Sequence, residues 1–341
     1  MTRLRTSALL SIPLAAALAL GACSASDNDA DDSEETLVVY TGRDLELVEP
    51  LIEKFETASG IDVELRDGGS TELAAQLLEE GDATKAQVFL SQDSGALGVL
   101  ADEDLLAPLP ESVTSTVPAE YTSRDGSWVG LTGRARVIAF DSEKLEPNEV
   151  PRDVFELTDD KWKGKVAIAP TNASFQSFVT AVRVTEGEKK AEEWLRGLID
   201  NDAQIYAKNG EILEAVNSGV VELGLINHYY WARYDGDPNT QRAKIAFGEP
   251  GSISALVNVT GAGILKGAAD SEAAQEFVEY LISEEAQTYF LQETAEYPLA
   301  LDGATPAGVP PLADLGGPDV DLAELSSLEE TVALITKVGL I

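Results

Sequence analysis

LVVYTGRDLELVEPLIEKFETASGIDVEL, residues 37–65, is the stretch from which the architecture is read. Leu37–Tyr40 is a short apolar strand and Thr41-Gly42-Arg43 a turn. Leu45–Ala58 is a helix with Leu47, Leu51, Ile52 and Phe55 on one stripe, at the three- and four-residue spacing of an amphipathic helix. Gly60 ends that helix, and Ile61–Leu65 alternates as a second strand. The pattern then repeats. Asp67-Gly68-Gly69-Ser70 turns into a helix over Thr71–Glu80, with Ser70 as N-cap and Leu73, Leu77 and Leu78 facing inward. Gln87–Leu90 is a third strand, and Ser94 begins the next helix. This βαβαβ order implies a parallel sheet with ligand chemistry at the carboxyl ends of its strands. Three turns follow those ends: Thr41–Asp44, Asp67–Ser70 and Ser91–Ser94.

Upstream, residues 1–22 read as an export leader. Arg3 and Arg5 form its positive start, Ala8–Leu20 its apolar stretch, and Leu20-Gly21-Ala22 precede Cys23. The apolar run is shorter than the ~20 residues a membrane-spanning helix needs. Leu-Gly-Ala-Cys resembles a bacterial lipobox, in which the cysteine becomes the lipidated first residue; the other reading is a secretory leader cut elsewhere. Cys23 is the chain's only cysteine. It has no disulfide partner and no metal-site spacing, so lipidation is its best explanation. Residues 23–35 form an acidic tether, since Ser24–Glu35 (SASDNDADDSEE) has too little apolar surface to offset its ordering entropy.

The formal net charge is −36, and loss of residues 1–22 removes two arginines and no acids. So acidic a surface argues against nucleic acid and against anionic lipid headgroups as partners. Roughly 305 residues follow the tether, enough for two domains.

Downstream, Trp128–Leu131 and Arg134–Phe140 are extended and joined through Thr132-Gly133. Val166–Ala169 is a strand leading through Pro170–Ser174 into a helix from Phe175 to about Thr185. A loop of small polar residues before a helix suits an anion, because free N–H groups and the helix dipole both favour negative charge. Asn172 or Ser174 as a plain N-cap is the alternative. Helices at Lys189–Leu198 and Gly210–Asn217 flank a short strand at Ile205–Ala207, and Val220–Ile226 is the next strand. Ile253–Val259 passes through Thr260-Gly261-Ala262-Gly263 and returns the chain to its first domain. That Gly-x-Gly lacks the spacing of a dinucleotide fingerprint. Helices at Ser271–Ser283 and Glu284–Gln292 close the sheet, Gly303–Asp321 is a loop, and a last helix covers Leu322–Val338.

The Val220–Ile226 strand runs into Asn227-His228-Tyr229-Tyr230-Trp231. Along a strand, neighbouring side chains point to opposite faces, so two adjacent phenols converge only where the backbone turns, as into a helix near Trp231. Free tyrosine ionises near pH ~10. Holding both as phenolates near neutral pH takes a highly charged ion such as ferric iron. A half-buried aromatic cluster at a strand end is the alternative, and these residues alone leave it open.

Seven segments in order carry a resemblance: VVYTGRDLE (38–46), FLSQDSGAL (89–97), GLTGRARV (130–137), IAPTNASF (168–175), YAKNGEILEAV (206–216), LINHYYW (225–231) and AEYPL (295–299). The chain resembles the periplasmic ferric-ion-binding proteins, the substrate-binding subunits of iron ABC transporters. The resemblance implies a two-domain α/β fold of the periplasmic-binding-protein type, with the ligand cleft between domains joined by crossing strands. It implies Tyr229 and Tyr230 as phenolate ligands of Fe(III). Arg134, Asn172, Ala173, Ser174, Asn209 and Asn227 are implied to hold a synergistic anion, carbonate or phosphate. An ABC permease is the implied partner, and a monomer, anchored to the outer face of the cell membrane through lipidated Cys23, the implied form. The domains are placed at 36–133 plus 260–295 and at 134–259 plus 296–341, with crossing strands near 133–137 and 259–263.

The chain departs from its relatives where they carry a histidine and a glutamate ligand: here stand Asp44 and Gln92, followed by Asp93. Ferric iron needs hard anionic oxygens beyond two phenolates. Asp44 and Asp93 are therefore the candidate carboxylate ligands, with helix N-capping as the alternative for each. His228 alternates away from Tyr229 and is not expected to ligate. A hydrolase finds no support, with one histidine, one cysteine and no Gly-x-Ser-x-Gly elbow. The rival function is a binding protein of the same fold for an oxyanion, a phosphonate or a polyamine.

Overall fold

Strand β1 (Leu37–Thr41) lies between β2 (Val63–Asp67) and β3 (Val88–Ser91) and runs parallel to both. These elements come from a computed structural model that describes residues 36–341; the expected leader, Cys23 and the expected acidic tether lie outside the described residues. Helix α1 (Leu45–Ser59) buries Leu47, Val48, Leu51, Ile52 and Phe55 against the sheet. It ends where Gly60 takes φ 77°, a left-handed conformation that a glycine adopts without strain, and donates to Glu56 O. Helices α2 (Ser70–Glu80) and α3 (Ser94–Asp102) complete the βαβαβ unit.

Two details of that unit differ from the sequence reading. Ser70 is the first residue of α2 rather than its cap, and its Oγ accepts the backbone N–H of Gln92 at 2.8 Å, holding the turn after β3. Leu78 is 38 % exposed, because of its apolar residues α2 turns only Leu73, Ala74 and Leu77 fully inward.

A short α4 (Glu111–Thr114) precedes β4 (Val129–Asp141), which is one unbroken and wholly buried strand where the sequence suggested two. A register shift between Gly130 and Thr132 absorbs the Thr132-Gly133 irregularity without ending the strand. Its first half pairs antiparallel with β9 (Val257–Ile264), and its second half pairs with β7 (Leu223–Asn227) and β8 (Ala243–Phe247). On its far side β9 pairs with β3. Beyond β7 come β5 (Val166–Ile168) and β6 (Gln204–Ile205), all parallel. The resulting order is β2-β1-β3-β9-β4-β7-β5-β6. β4 and β9 thus cross between a first lobe built on β1–β3 and a second built on β5–β8.

The second lobe is covered by α5 (Ala173–Glu186), α6 (Glu188–Asp200), α7 (Asn209–Asn217) and the single turn α8 (His228–Ala232). The expected strand Val220–Ile226 starts three residues later, and Val220 is 62 % exposed. The expected strand Ile253–Val259 is also shifted, since Ile253–Ala255 is a 3-10 turn. Strand β8 and the two-residue β10 (Tyr297–Pro298), which pairs with β4 at Thr132–Gly133, were not anticipated. Helices α9 (Glu272–Leu281) and α10 (Glu284–Tyr289) close the first lobe, where Phe277 packs edge-on against Phe55 at 5.0 Å.

The C-terminal segment breaks at Ser327 instead of forming one helix: a 3-10 turn at Leu322–Ser326 precedes α11 (Leu328–Val338). The turn sits on α3 so closely that a Cβ on Gly95 would meet Leu325 O at 2.7 Å. Helix α11 sits instead on α5, through the Thr180–Thr331 hydroxyl pair at 2.7 Å and Arg183 Nη1 donating to Ser327 O at 2.8 Å. Underneath, Asn258 of β9 accepts from Ser94 N–H and Oγ (3.1 and 2.9 Å) and donates to Ser177 Oγ (2.7 Å), joining the starts of α3 and α5.

Candidate functional site

The turns after β1, β2 and β3 face the turns after β5 and β7 across a cleft of about 740 Å³. Gly42–Glu46, Asp67–Gly69 and Gln92 line one side; Thr171–Ala173, Lys208, Tyr230 and Arg233 are among those on the other. A larger hollow of about 960 Å³ between α1 and α10 adjoins the mouth through Glu46 and Arg233, but none of the expected site residues line it.

β7 stops at Asn227 and α8 starts at His228, so the backbone turns immediately before the tyrosines. That turn, three residues earlier than expected, brings both phenols to one side. Their rings stack with centroids 4.3 Å apart and planes 28° apart. Tyr229 is fully buried, and its Oη has no hydrogen-bond partner among the described residues. Burial first, then the adjacent phenol, pushes the Tyr230 hydroxyl well above its usual range, so a cation is needed to displace its proton.

Asp44 occupies the N-cap position of α1, yet its side chain makes no capping hydrogen bond and is exposed in the cleft. Its charge reaches both Tyr230 and Arg43. Asp93 is different. It has no exposed surface, caps α3 by accepting the Ala96 N–H at 3.3 Å, and is absent from the cleft wall. Burial pushes its carboxyl upward against the opposing pull of Arg134. The capping alternative therefore holds for Asp93 and not for Asp44: φ −151° and ψ 160° point the Asp93 side chain back over the first turn of α3. Gln92, next to it, does reach the cleft. With its amide oriented to suit its neighbours, it accepts from Arg134 Nη1 and donates to Gly42 O, both at 3.2 Å.

Of the residues expected to hold an anion, Asn172, Ala173, Ser174, Asn209 and Asn227 lie together, whereas Arg134 reaches Gln92 and the Tyr229 ring. Asn172 caps α5, and its Oδ1 accepts from Ser174 N–H at 3.1 Å and Ser174 Oγ at 2.6 Å. Asn209 Nδ2 donates to Ser174 Oγ at 3.0 Å, and Ala173 lies at the cleft wall. Asn227 closes the group beneath, through Arg136 Nη1 donating to its Oδ1 at 3.2 Å.

His228 is fully buried. Its Nδ1 accepts the Ala135 N–H at 3.1 Å, which leaves Nε2 as the donor to Ala295 O at 3.0 Å. Burial lowers its pKa to about 3, so the ring is neutral and both nitrogens are occupied by backbone. It ties α8 to β4 and to the segment before β10, and it does not line the cleft.

Sequence reasoning missed three groups. Arg43 lies 5.8 Å from the Tyr229 ring centre, close to the 6.0 Å of Arg134, and pairs with the buried Glu296 at 2.9 Å. Glu296 Oε2 also accepts from Thr132 Oγ1 at 2.9 Å. Arg136, two residues along β4 from Arg134, lies on the same face, and the Arg-x-Arg spacing on a strand was the signal available for it. The buried floor of the cleft therefore carries three guanidinium groups and two carboxylates, Asp93 and Glu296.

Comparison with known proteins places this geometry. The family described as "Bacterial extracellular solute-binding protein" matches residues 83–317. The Fe(3+)-binding periplasmic protein of Serratia marcescens is 32 % identical, over 99 % of this chain and 100 % of its own length. The major ferric iron-binding protein of Neisseria gonorrhoeae is 32 % identical, over 89 % of this chain and 93 % of its own. Among solved structures, iron-bound HitA from Pseudomonas aeruginosa superposes with a TM-score of 0.84 at 33 % identity, covering 89 % of this chain and 99 % of that one. IdiA (FutA) of Trichodesmium, in complex with iron and citrate ligands, gives 0.70 at 28 % identity with the same coverage.

Proposed function

Because the chain belongs to the ferric-iron-binding family of bacterial extracellular solute-binding proteins, we propose that it captures Fe(III) outside the cytoplasm and delivers it to an ABC-type permease. No chemistry is performed on the ligand. Tyr229 and Tyr230 are the phenolate ligands and Asp44 the carboxylate of the first lobe. Together they supply three negative charges, which equal those of the ion. A synergistic carbonate or phosphate fills the remaining positions from the Asn172–Ser174 turn, with Asn209 and Asn227. Arg134 steadies that anion from the floor and, through Gln92, ties it to the first lobe. The protein acts as a monomer, held at the membrane by a lipid on Cys23.

The observation that carries this reading is that Tyr230, stacked on the buried Tyr229, and the uncapped Asp44 line one interlobe cleft. The relatives described above argue against a polyamine, since they are named for ferric iron. The test is the visible spectrum of purified protein. Ferric loading should produce a broad phenolate-to-iron charge-transfer band that a strong chelator removes. Tyr229→Phe or Tyr230→Phe should weaken and shift it, and full iron binding by the double Phe variant would sink the assignment. For the anchor, Cys23→Ala should release the protein from membranes; unchanged membrane retention argues for a different attachment.

A further inference from the structure

Arg136 has only neutral partners. Nη1 donates to Asn227 Oδ1 at 3.2 Å and to Ser174 Oγ at 3.4 Å, Nη2 donates to Leu225 O at 3.2 Å, and Nε has no partner. The side chain is 3 % exposed and lies over Phe178; Arg134 opposes its charge, and only the phenols of Tyr230 and Tyr229 favour it. Arg43 and Arg134 each have a buried carboxylate acting on them, Glu296 and Asp93 respectively; Arg136 has none. A buried, unpaired guanidinium is unfavourable for folding alone. Its position at the centre of the second-lobe polar group suggests what it is kept for.

We propose that Arg136 is the positioning residue that makes the anion subsite selective for oxyanions. Its fork occupies Asn227 Oδ1, which leaves the Asn227 Nδ2 donor without a partner in the protein. It also occupies Ser174 Oγ as an acceptor, together with Asn209 Nδ2, so the Ser174 proton is committed to Asn172 Oδ1. The acceptor oxygens of Asn227, Ser174 and Asn172 are thereby engaged within the protein. A free donor and an uncompensated positive charge remain, the combination that suits phosphate or bicarbonate. Asn209 Oδ1 is the exception, an unpaired acceptor able to take the proton of a singly protonated oxyanion. Without Arg136, the Asn227 amide has no reason to hold its oxygen inward, and the subsite loses its preference for negative charge.

This inference rests on the iron reading, and the experiment separates the two. Iron loading of the full chain is followed through the visible band at increasing inorganic phosphate and, separately, bicarbonate. The wild type should bind iron more tightly as either anion is raised. Arg136→Met should keep the band, lose at least tenfold of the anion enhancement, and melt no lower than the wild type. A merely structural arginine would do the opposite, lowering the melting temperature and leaving the anion dependence unchanged; that result overturns the proposal. So does a wild type whose iron affinity ignores both anions. If the methionine variant does not fold, Arg136→Gln keeps a donor for Leu225 O without the charge and carries the same expectation. Absence of the band in the wild type refutes the iron reading itself.

Discussion

Glu296→Gln isolates the charge of the most deeply buried ion pair in the cleft floor. Arg43 Nη2 and Glu296 Oε1 are 2.9 Å apart, with side-chain exposures of 1 % and 0 %. Glutamine keeps an acceptor for the Thr132 and Thr294 hydroxyls, so the substitution removes charge and leaves most of the shape. Arg43 then remains buried without its counter-ion. Removing one partner of a buried pair destabilises by about 3–5 kcal/mol. In a chain of this size that lowers the melting temperature by roughly 5–10 °C. The double variant Arg43→Met/Glu296→Leu removes both charges and should recover most of the loss, because the desolvation of each ion disappears with it. The iron-free protein is melted in a calorimeter at neutral pH with all variants in parallel. A Glu296→Gln protein that melts with the wild type would refute the reasoning, as would a double variant less stable than the single one. Either result would mean that Arg43 is hydrated or re-paired and that its charge is not held at the Tyr229 ring.

Asp44→Asn should weaken iron loading roughly 10–100-fold at low oxyanion and leave the melting temperature unchanged, since Asp44 makes no capping bond. Asp93→Ala should do the reverse, losing about 1 kcal/mol or more of stability with the cap while iron titrations stay close to wild type; equal losses of affinity in both variants would return Asp93 to the ligand set. His228 ionises near 6.5 when unfolded and only at about 3 when folded. Its contribution is therefore fully present above pH ~6.5 and lost at about 1.4 kcal/mol per unit as the pH falls toward the folded value. His228→Gln should flatten the fall in melting temperature between pH 7 and 5, and parallel curves for the two proteins would contradict the assignment. Iron loading should compact the protein in solution scattering, and Thr71→Val, which deletes the Thr71 Oγ1–Gln176 Oε1 bond of 3.2 Å across the cleft, should reduce that compaction. Superimposable profiles with and without iron would indicate a preformed site.

The first lobe was legible because each of its helices reports its own burial. The Leu47-Leu51-Ile52-Phe55 stripe and Gly60 mark α1 within one residue of its end. Periodicity could not place β9, since Ile253–Val259 is the more apolar of the two overlapping segments and only pairing with β3 and β4 selects Val257–Ile264. β8 and β10 were invisible for a related reason: five and two residues of mixed polarity become strands only because β4 offers them an edge. At the site, the turn that brings Tyr229 and Tyr230 to one side was expected from the end of the strand, whereas their reading as ligands came from the resemblance and not from the two phenols alone. Asp44 and Asp93 could not be told apart, since both follow a strand and precede a helix. The difference lies in backbone angles, ψ 125° for one and 160° for the other, that sequence does not disclose. Arg136 could have been found from its Arg-x-Arg spacing with Arg134, but the Arg43–Glu296 pair depends on a contact between segments far apart in the chain, and no local pattern announces it.

The place of β9 has a consequence for when the protein can fold. Val88 pairs with Ile264 and Val129 with Ala262, so the central strand of the first lobe's sheet is made long after the strands on either side of it. Until residue 264 has been synthesised, β3 and β4 each have an apolar edge with nothing between them, and the loop that must close is long and slow to close. A ribosome-bound chain lacking its last third cannot complete either the first lobe's sheet or the crossing between lobes. Translation order thus delays folding without any added factor. A polypeptide that stays open until nearly finished can be threaded through a narrow translocation channel and assembled on the far side, as the delivery outside the cytoplasm proposed above would require.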